Sequence, residues 1–142
     1  MIDNRLAPYG AFILRVALGV MYLAHSLVLK LYVFTLAGNA QFFGSIGLPA
    51  WFGYAVFFAE AIGGALLVLG VYARPVALAL VPVLVGAAWV HWGNGWVFSS
   101  PNGGWEYPLF LVVASLAVAL VGEGAYALKP TPPALVTRFA RT

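Results

Sequence analysis

The sequence predicts an all-α integral membrane protein, a four-helix bundle with both termini on the cytoplasmic side. Three observations carry this reading. First, 63% of the 142 residues are hydrophobic and only 8% are charged, where an ordinary soluble domain has about 45–50% and about 25%. Second, a soluble chain of this length buries only roughly 68–70% of its surface, too little to hide such an apolar load. Third, the apolar residues fall in four continuous runs instead of alternating. Lipid offers no hydrogen bonds, so only helices or a closed barrel can cross it, and continuous runs select helices.

A bilayer core of about 30 Å needs about 20 residues at about 1.5 Å each. The first span covers residues 10–33. Arg15 interrupts it and Lys30 follows, whereas a cleaved signal presents a clean apolar run of about 7–15 residues. The second covers residues 51–71, with Glu60 as its only charge. The third covers residues 75–92 and has none. The fourth covers residues 107–128, with Glu123 near its end. No repeat or linker divides the chain, so residues 1–142 read as one domain.

Basic residues set the orientation. Arg5, Arg74, Lys129, Arg138 and Arg141 fall on the side of the termini, and the opposite side holds Lys30 and little else. The net charge of +3 reads as membrane topology, not as a nucleic-acid surface. In the first outer loop, Thr35 is placed to cap a short helix through Phe43, ended by Gly44 or Gly47. In the second, Trp92, Trp96, Trp105 and Tyr107 read as an interfacial aromatic belt or as a substrate-contacting lid. The tail from Lys129 onward, rich in proline and basic residues, reads as an irregular surface end.

Small residues let helices in lipid approach closely. Ala55, Ala59 and Gly63, with Gly64 beside them, supply such a stripe in the second span, and Ser115 and Ala119 do so in the fourth. Pro82 is expected to kink the third span.

Charges inside the spans are costly, at least about 2.5–3.5 kcal/mol each, and should face inward and find partners. Glu60 and His25 lie about 14 Å and about 12 Å from the outer edge, so they are nearly level. Lys30 and His91 are shallower. Together with Trp96, Trp105 and Glu106 these residues are the candidates for an outward-facing ligand pocket. Arg15 and Glu123 share a depth near the cytoplasmic edge and are expected to form an interhelical ion pair. Glu60 and the histidines can equally be structural groups. No metal is expected, since no spacing such as His at i and i+4 is present. Without cysteine, thiolate nucleophiles, thiolate-ligated clusters and dithiol chemistry are excluded. No phosphate-binding glycine loop or Ser-His-Asp pattern occurs.

With these positions fixed, the order of motifs resembles the DoxX family of small bacterial inner-membrane proteins, in its YphA-like branch. The resemblance runs from about Leu14 to Leu128. It rests on Leu14-Arg15 with Gly19, His25 and Lys30; on Gly47-Leu48-Pro49; on Glu60-Ala61-Ile62-Gly63-Gly64; on Leu69-Gly70 and Ala73-Arg74; on His91-Trp92-Gly93 through Gly104-Trp105-Glu106-Tyr107; and on Gly122-Glu123-Gly124. The resemblance implies a multi-pass protein of the inner membrane linked to quinone-dependent oxidation, membrane oxidoreductase complexes or resistance to oxidants. It assigns no catalytic residue. Three functions follow for comparison: a quinone- or small-amphiphile-binding subunit supporting an oxidoreductase; a non-catalytic scaffold or assembly factor; and a small transporter or channel, with homo-oligomers an option. The expected partners are the lipid bilayer and oxidoreductase subunits, and no nucleic acid.

Overall fold

The computed structural model describes residues 3–135. They form α1 (Ala7–Leu23), which continues as a π-helix over Ala24–Val33; α2 (Leu36–Ser45); α3 (Trp51–Leu69); α4 (Ala73–His91), followed by a 3₁₀ turn at Trp92–Asn94; and α5 (Glu106–Val121). The helical stretches Ala7–Val33, Trp51–Leu69 and Ala73–Asn94 are long and apolar enough to cross a membrane. The protein is therefore a multi-pass membrane protein. α5 is apolar but has only 16 residues, about 24 Å of axis.

Helix α1 packs on α3 and α4 on α5, and contacts of α3 with α4 and of α1 with α5 complete a four-helix bundle. Its core holds Leu18, Leu67, Leu80, Leu111 and Val118. Phe58, Ile62, Val113 and Leu120 point away from it and are more than half exposed; lipid is their solvent. The short α2 lies across the distal end of the bundle, the end where α3 and α5 begin. Thr35 caps it, its Oγ1 accepting from Gly38 N–H at 3.1 Å. Asn39 Nδ2 then donates to the Gly53 carbonyl at 2.7 Å, fixing α2 to α3.

The fourth expected span is shorter than the run of apolar residues suggests. α5 stops at Val121 because Gly122 turns the chain with φ +98°. Residues beyond it fold back over the basal end, where α1 begins. There Ala125 N–H bonds to Pro8 O, and Lys129 pairs with Val71 in a single parallel bridge. The part of the tail through Thr131 is thus docked, not irregular surface. Arg138 and Arg141 lie outside the described residues. α3 ends at Gly70, which takes the left-handed conformation that a side chain disfavours. α4 runs on through Pro82, although the ring removes the donor to the Leu78 carbonyl.

The close-packing face of α3 keeps Gly63 and Gly64 of the expected stripe but not its alanines. Ala55 and Ala59 are exposed. The tight contacts come from Gly53 against Ala40, Gly63 against Leu80, and Gly64 against Gly19. Glycine's lack of a side chain matters most at the last pair. A Cβ on Gly64 would sit 2.9 Å from Gly19 O, and one on Gly19 would sit 2.8 Å from Gly64 O. α1 and α3 therefore touch backbone to backbone, a geometry that small residues permit in lipid.

This contact yields a graded expectation. Gly64→Ala should lower the unfolding free energy of the solubilised protein by about 1–3 kcal/mol. Gly86→Ala, where an added Cβ meets nothing within 4 Å, should leave it unchanged or slightly raised, as read by thermal melts side by side.

Candidate functional site

Polar residues at 15, 22, 26 and 30 recur along one face of the first helix. At its distal half this face meets Glu60 of α3 and two residues of α5. Lys30 Nζ donates to the Glu60 carboxylate, forming an ion pair that is largely removed from solvent. Glu60 also lies within electrostatic range of the Tyr22 hydroxyl, which is 3.3 Å from Ser115 Oγ in a buried hydrogen bond.

The π-helix positions this group. Ser26 Oγ donates to the Tyr22 carbonyl at 2.9 Å, and His25 Nδ1–H donates to the Met21 carbonyl at 2.9 Å. These side chains occupy carbonyls that an α-helix would offer to its own N–H groups, and the winding loosens where they do so. A carbonyl can only accept, so Nδ1 carries a proton, and in the neutral tautomer that has it Nε2 is an acceptor. The ring stacks on Tyr107 of α5, with centroids 5.9 Å apart and planes at 23°. The Tyr107 hydroxyl is buried and has no hydrogen-bond partner. Such a group costs about 1–3 kcal/mol unless something satisfies it.

The other candidates gather in the loop after α4. Trp105 stacks on Trp92 with centroids 4.6 Å apart and meets Trp96 edge-on at 4.4 Å. Asn94 Nδ2 donates to His91 Nδ1 at 3.4 Å and to Asn102 O at 3.1 Å, which ties His91 into the loop. Glu106 Oε1 accepts from Phe98 N–H at 2.8 Å. A groove of about 440 Å³ opens here, lined by Trp96, Phe98, Glu106 and Tyr107 and continuing over Leu109, Phe110 and Val113.

The single outward pocket expected from the sequence is thus two places. Lys30 and Glu60 form a largely buried ion pair; His25 stacks on Tyr107, whose ring also lines the outer groove with Trp96 and Glu106; His91 and Trp105 line neither. The depth arithmetic placed residues along the membrane normal but not around the bundle. The Tyr22–Ser115 hydrogen bond and the stacking of Tyr107 on His25 were not foreseen. The spacing of Tyr22, Ser26 and Lys30 at intervals of four was the available signal. Among the described residues no group of three His, Asp or Glu could hold a metal ion.

At the basal end the expected Arg15–Glu123 ion pair is replaced by a different arrangement. Arg15 is fully buried and donates only to main-chain carbonyls: Leu67 at 2.5 Å, Val68 at 2.8 Å, Glu123 at 2.8 Å and Ala125 at 3.2 Å. It meets Glu123 through the backbone because the end of α3 presents unpaired carbonyls with partial negative charge. The Glu123 carboxylate is taken by others. Thr131 donates to it through N–H at 3.1 Å and through its hydroxyl, and Arg74 approaches with Nε at 3.8 Å. The rest of the Arg74 guanidinium caps α5, donating to Ala119 O at 2.8 Å, Leu120 O at 2.9 Å and Val121 O at 3.3 Å.

Glu123 lies past the end of α5. Burial pushes its carboxyl up, but the hydrogen bonds from Thr131 and from neighbouring main-chain N–H groups outweigh burial and hold it below the usual range. A carboxyl lowered in the folded state stabilises above its ordinary pKa of about 4.3 and loses that contribution as pH falls through the folded value. The melting temperature should therefore drop between about pH 5 and about pH 2, and Glu123→Gln should flatten that part of the profile. Arg15→Lys, which cannot reach four carbonyls at once, should cost about 2–4 kcal/mol in denaturant or thermal unfolding.

Comparison with known proteins fits this architecture. The family profile described as DoxX matches residues 10–92, more than half of the chain. A Bacillus subtilis (strain 168) protein named "Putative oxidoreductase CatD" is 33% identical over 128 residues, covering 89% of this chain and 90% of the relative. No solved structure matches. The chain belongs to the DoxX family.

Proposed function

We propose that this protein is a quinone- or small-amphiphile-binding subunit that supports a membrane oxidoreductase or an oxidative-stress function, in the bacterial inner membrane with both termini in the cytoplasm. The observation that carries the reading is the Tyr107 hydroxyl, buried without a partner on a ring stacked against His25. A phenol donates to a quinone carbonyl, and neutral His25 Nε2 accepts from the hydroxyl of the corresponding quinol. The neighbouring Lys30–Glu60 pair can exchange protons with such a site.

Reducing a quinone to a quinol takes two electrons and two protons. The residues of this chain handle the protons. With no cysteine, thiol chemistry cannot deliver the electrons, and a partner oxidoreductase supplies them. The oxidoreductase name carried by the Bacillus subtilis relative supports that setting. Arg5, Arg74 and Lys129 at the basal end support a cytoplasmic location for it. A second reading, a scaffold for partner helices, is favoured by Ala55 and Ala59, which are exposed on α3 and so are not used within the chain. Under that reading Ala59→Leu breaks a complex while Glu60→Gln is tolerated.

The test is titration of a short-chain quinone into the purified protein in nanodiscs, followed by thermal shift. Saturable binding is expected, weakened about tenfold by Tyr107→Phe, the loss of one charge-free hydrogen bond in a dry site. Absence of any quinone-dependent shift, or equal affinity in Tyr107→Phe, contradicts the reading.

A further inference from the structure

The outer groove combines one carboxylate with several aromatic rings. Glu106 belongs to neither ion pair found among the described residues. Its Oε1 is held by Phe98 N–H, and Oε2 has no partner among the described residues. Trp96, Phe98, Tyr107 and Phe110 surround it, and no Lys, Arg or His contributes to the lining. An aromatic face attracts cations through its quadrupole, and the carboxylate does so by charge. A cation is therefore the ligand charge that both components favour, and an anion is opposed by both.

The groove is open along the lipid side of α5, where Leu109, Phe110 and Val113 are exposed. An alkyl chain can lie there while still in the bilayer. The volume of about 440 Å³ is within the range of small-ligand sites. We propose that this groove takes a singly cationic amphiphile arriving from the bilayer, its quaternary ammonium head between Glu106 and the rings of Trp96 and Phe98 and its chain along Leu109 and Val113. Rings outnumber hydrogen-bond acceptors in the lining, which suits a head without N–H donors. A phospholipid bearing an ammonium group is disfavoured, because its phosphate finds no cation here. The proposal uses none of His25, Lys30 and Glu60; it shares the Tyr107 ring with the quinone reading but not the hydroxyl on which that reading rests.

The experiment is equilibrium binding of labelled dodecyltrimethylammonium, below its micelle-forming concentration, to the full chain in nanodiscs, with empty nanodiscs subtracted. One saturable site is expected. Glu106→Gln keeps an acceptor for Phe98 N–H but removes the charge, and should lower affinity about tenfold or more; Trp96→Leu should lower it several-fold, and Leu120→Ala at the basal end should not change it. Unaltered affinity in Glu106→Gln, displacement of the label by an equal concentration of a neutral amphiphile such as dodecyl maltoside, or uptake that only matches empty nanodiscs overturns the proposal. A protein that fails to bind quinone but passes this test separates the two sites.

Discussion

Buried charge in this protein has to be answered from within the chain, because lipid offers neither water nor counter-charge. Arg15, Glu60 and Glu123 are the buried Arg, Lys, Asp or Glu side chains among the described residues, and each is answered. Arg15 is met by the open carbonyls at the end of α3 and in the turn after α5. Glu123 is met by Thr131 and Arg74, and Glu60 by Lys30. These ties fix where α3 and α5 end, how the tail docks and which way the first helix faces. With the first helix fixed against the Gly64 side of α3, Lys30 and His25 have no freedom to face elsewhere.

The same constraint explains the unusual winding of Ala24–Val33. A ten-residue π-helix has poorer backbone hydrogen bonding than an α-helix. Here the carbonyls before it are engaged by His25 and Ser26, so the loss is partly compensated. The wider turn places Lys30 on Glu60. Tyr22 bonds Ser115 and His25 stacks on Tyr107, and the buried Tyr107 hydroxyl is left open to an outside partner.

Much of the fold was legible in the sequence. Composition and continuous apolar runs gave the bundle, and Thr35 and the following glycines gave α2; depth set His25 level with Glu60 and Lys30 shallower, whereas it is Lys30 that meets Glu60. What failed was information about direction around each helix. Of the stripe Ala55, Ala59, Gly63 and Gly64, the two glycines do pack inward, but Ala55 and Ala59 are exposed and Gly53 packs in their place. Apolar letters continue past Val121, but Gly122 and the Arg74 guanidinium packed against it stop α5 there. Arg15 and Glu123 did meet, but a sequence records side chains and not the helix-end carbonyls that compete for them. The splitting of the candidate pocket into a buried ion pair and an outer groove follows from the same gap: residues at one depth can face opposite sides of a helix.

The ion pairs and the outer groove depend on which faces of α3 and α5 look at acyl chains. The chain has no cysteine, so a single introduced thiol can carry one spin label, and collisions with oxygen in nanodiscs report contact with lipid. Labels at Phe58, Ile62 and Val113 should show high oxygen accessibility, and labels at Phe57, Leu67 and Ala114 should show low values. Oxygen accessibility at Phe57 or Ala114 equal to that at Ile62 would contradict the inward orientation on which the ion pairs and the outer groove depend.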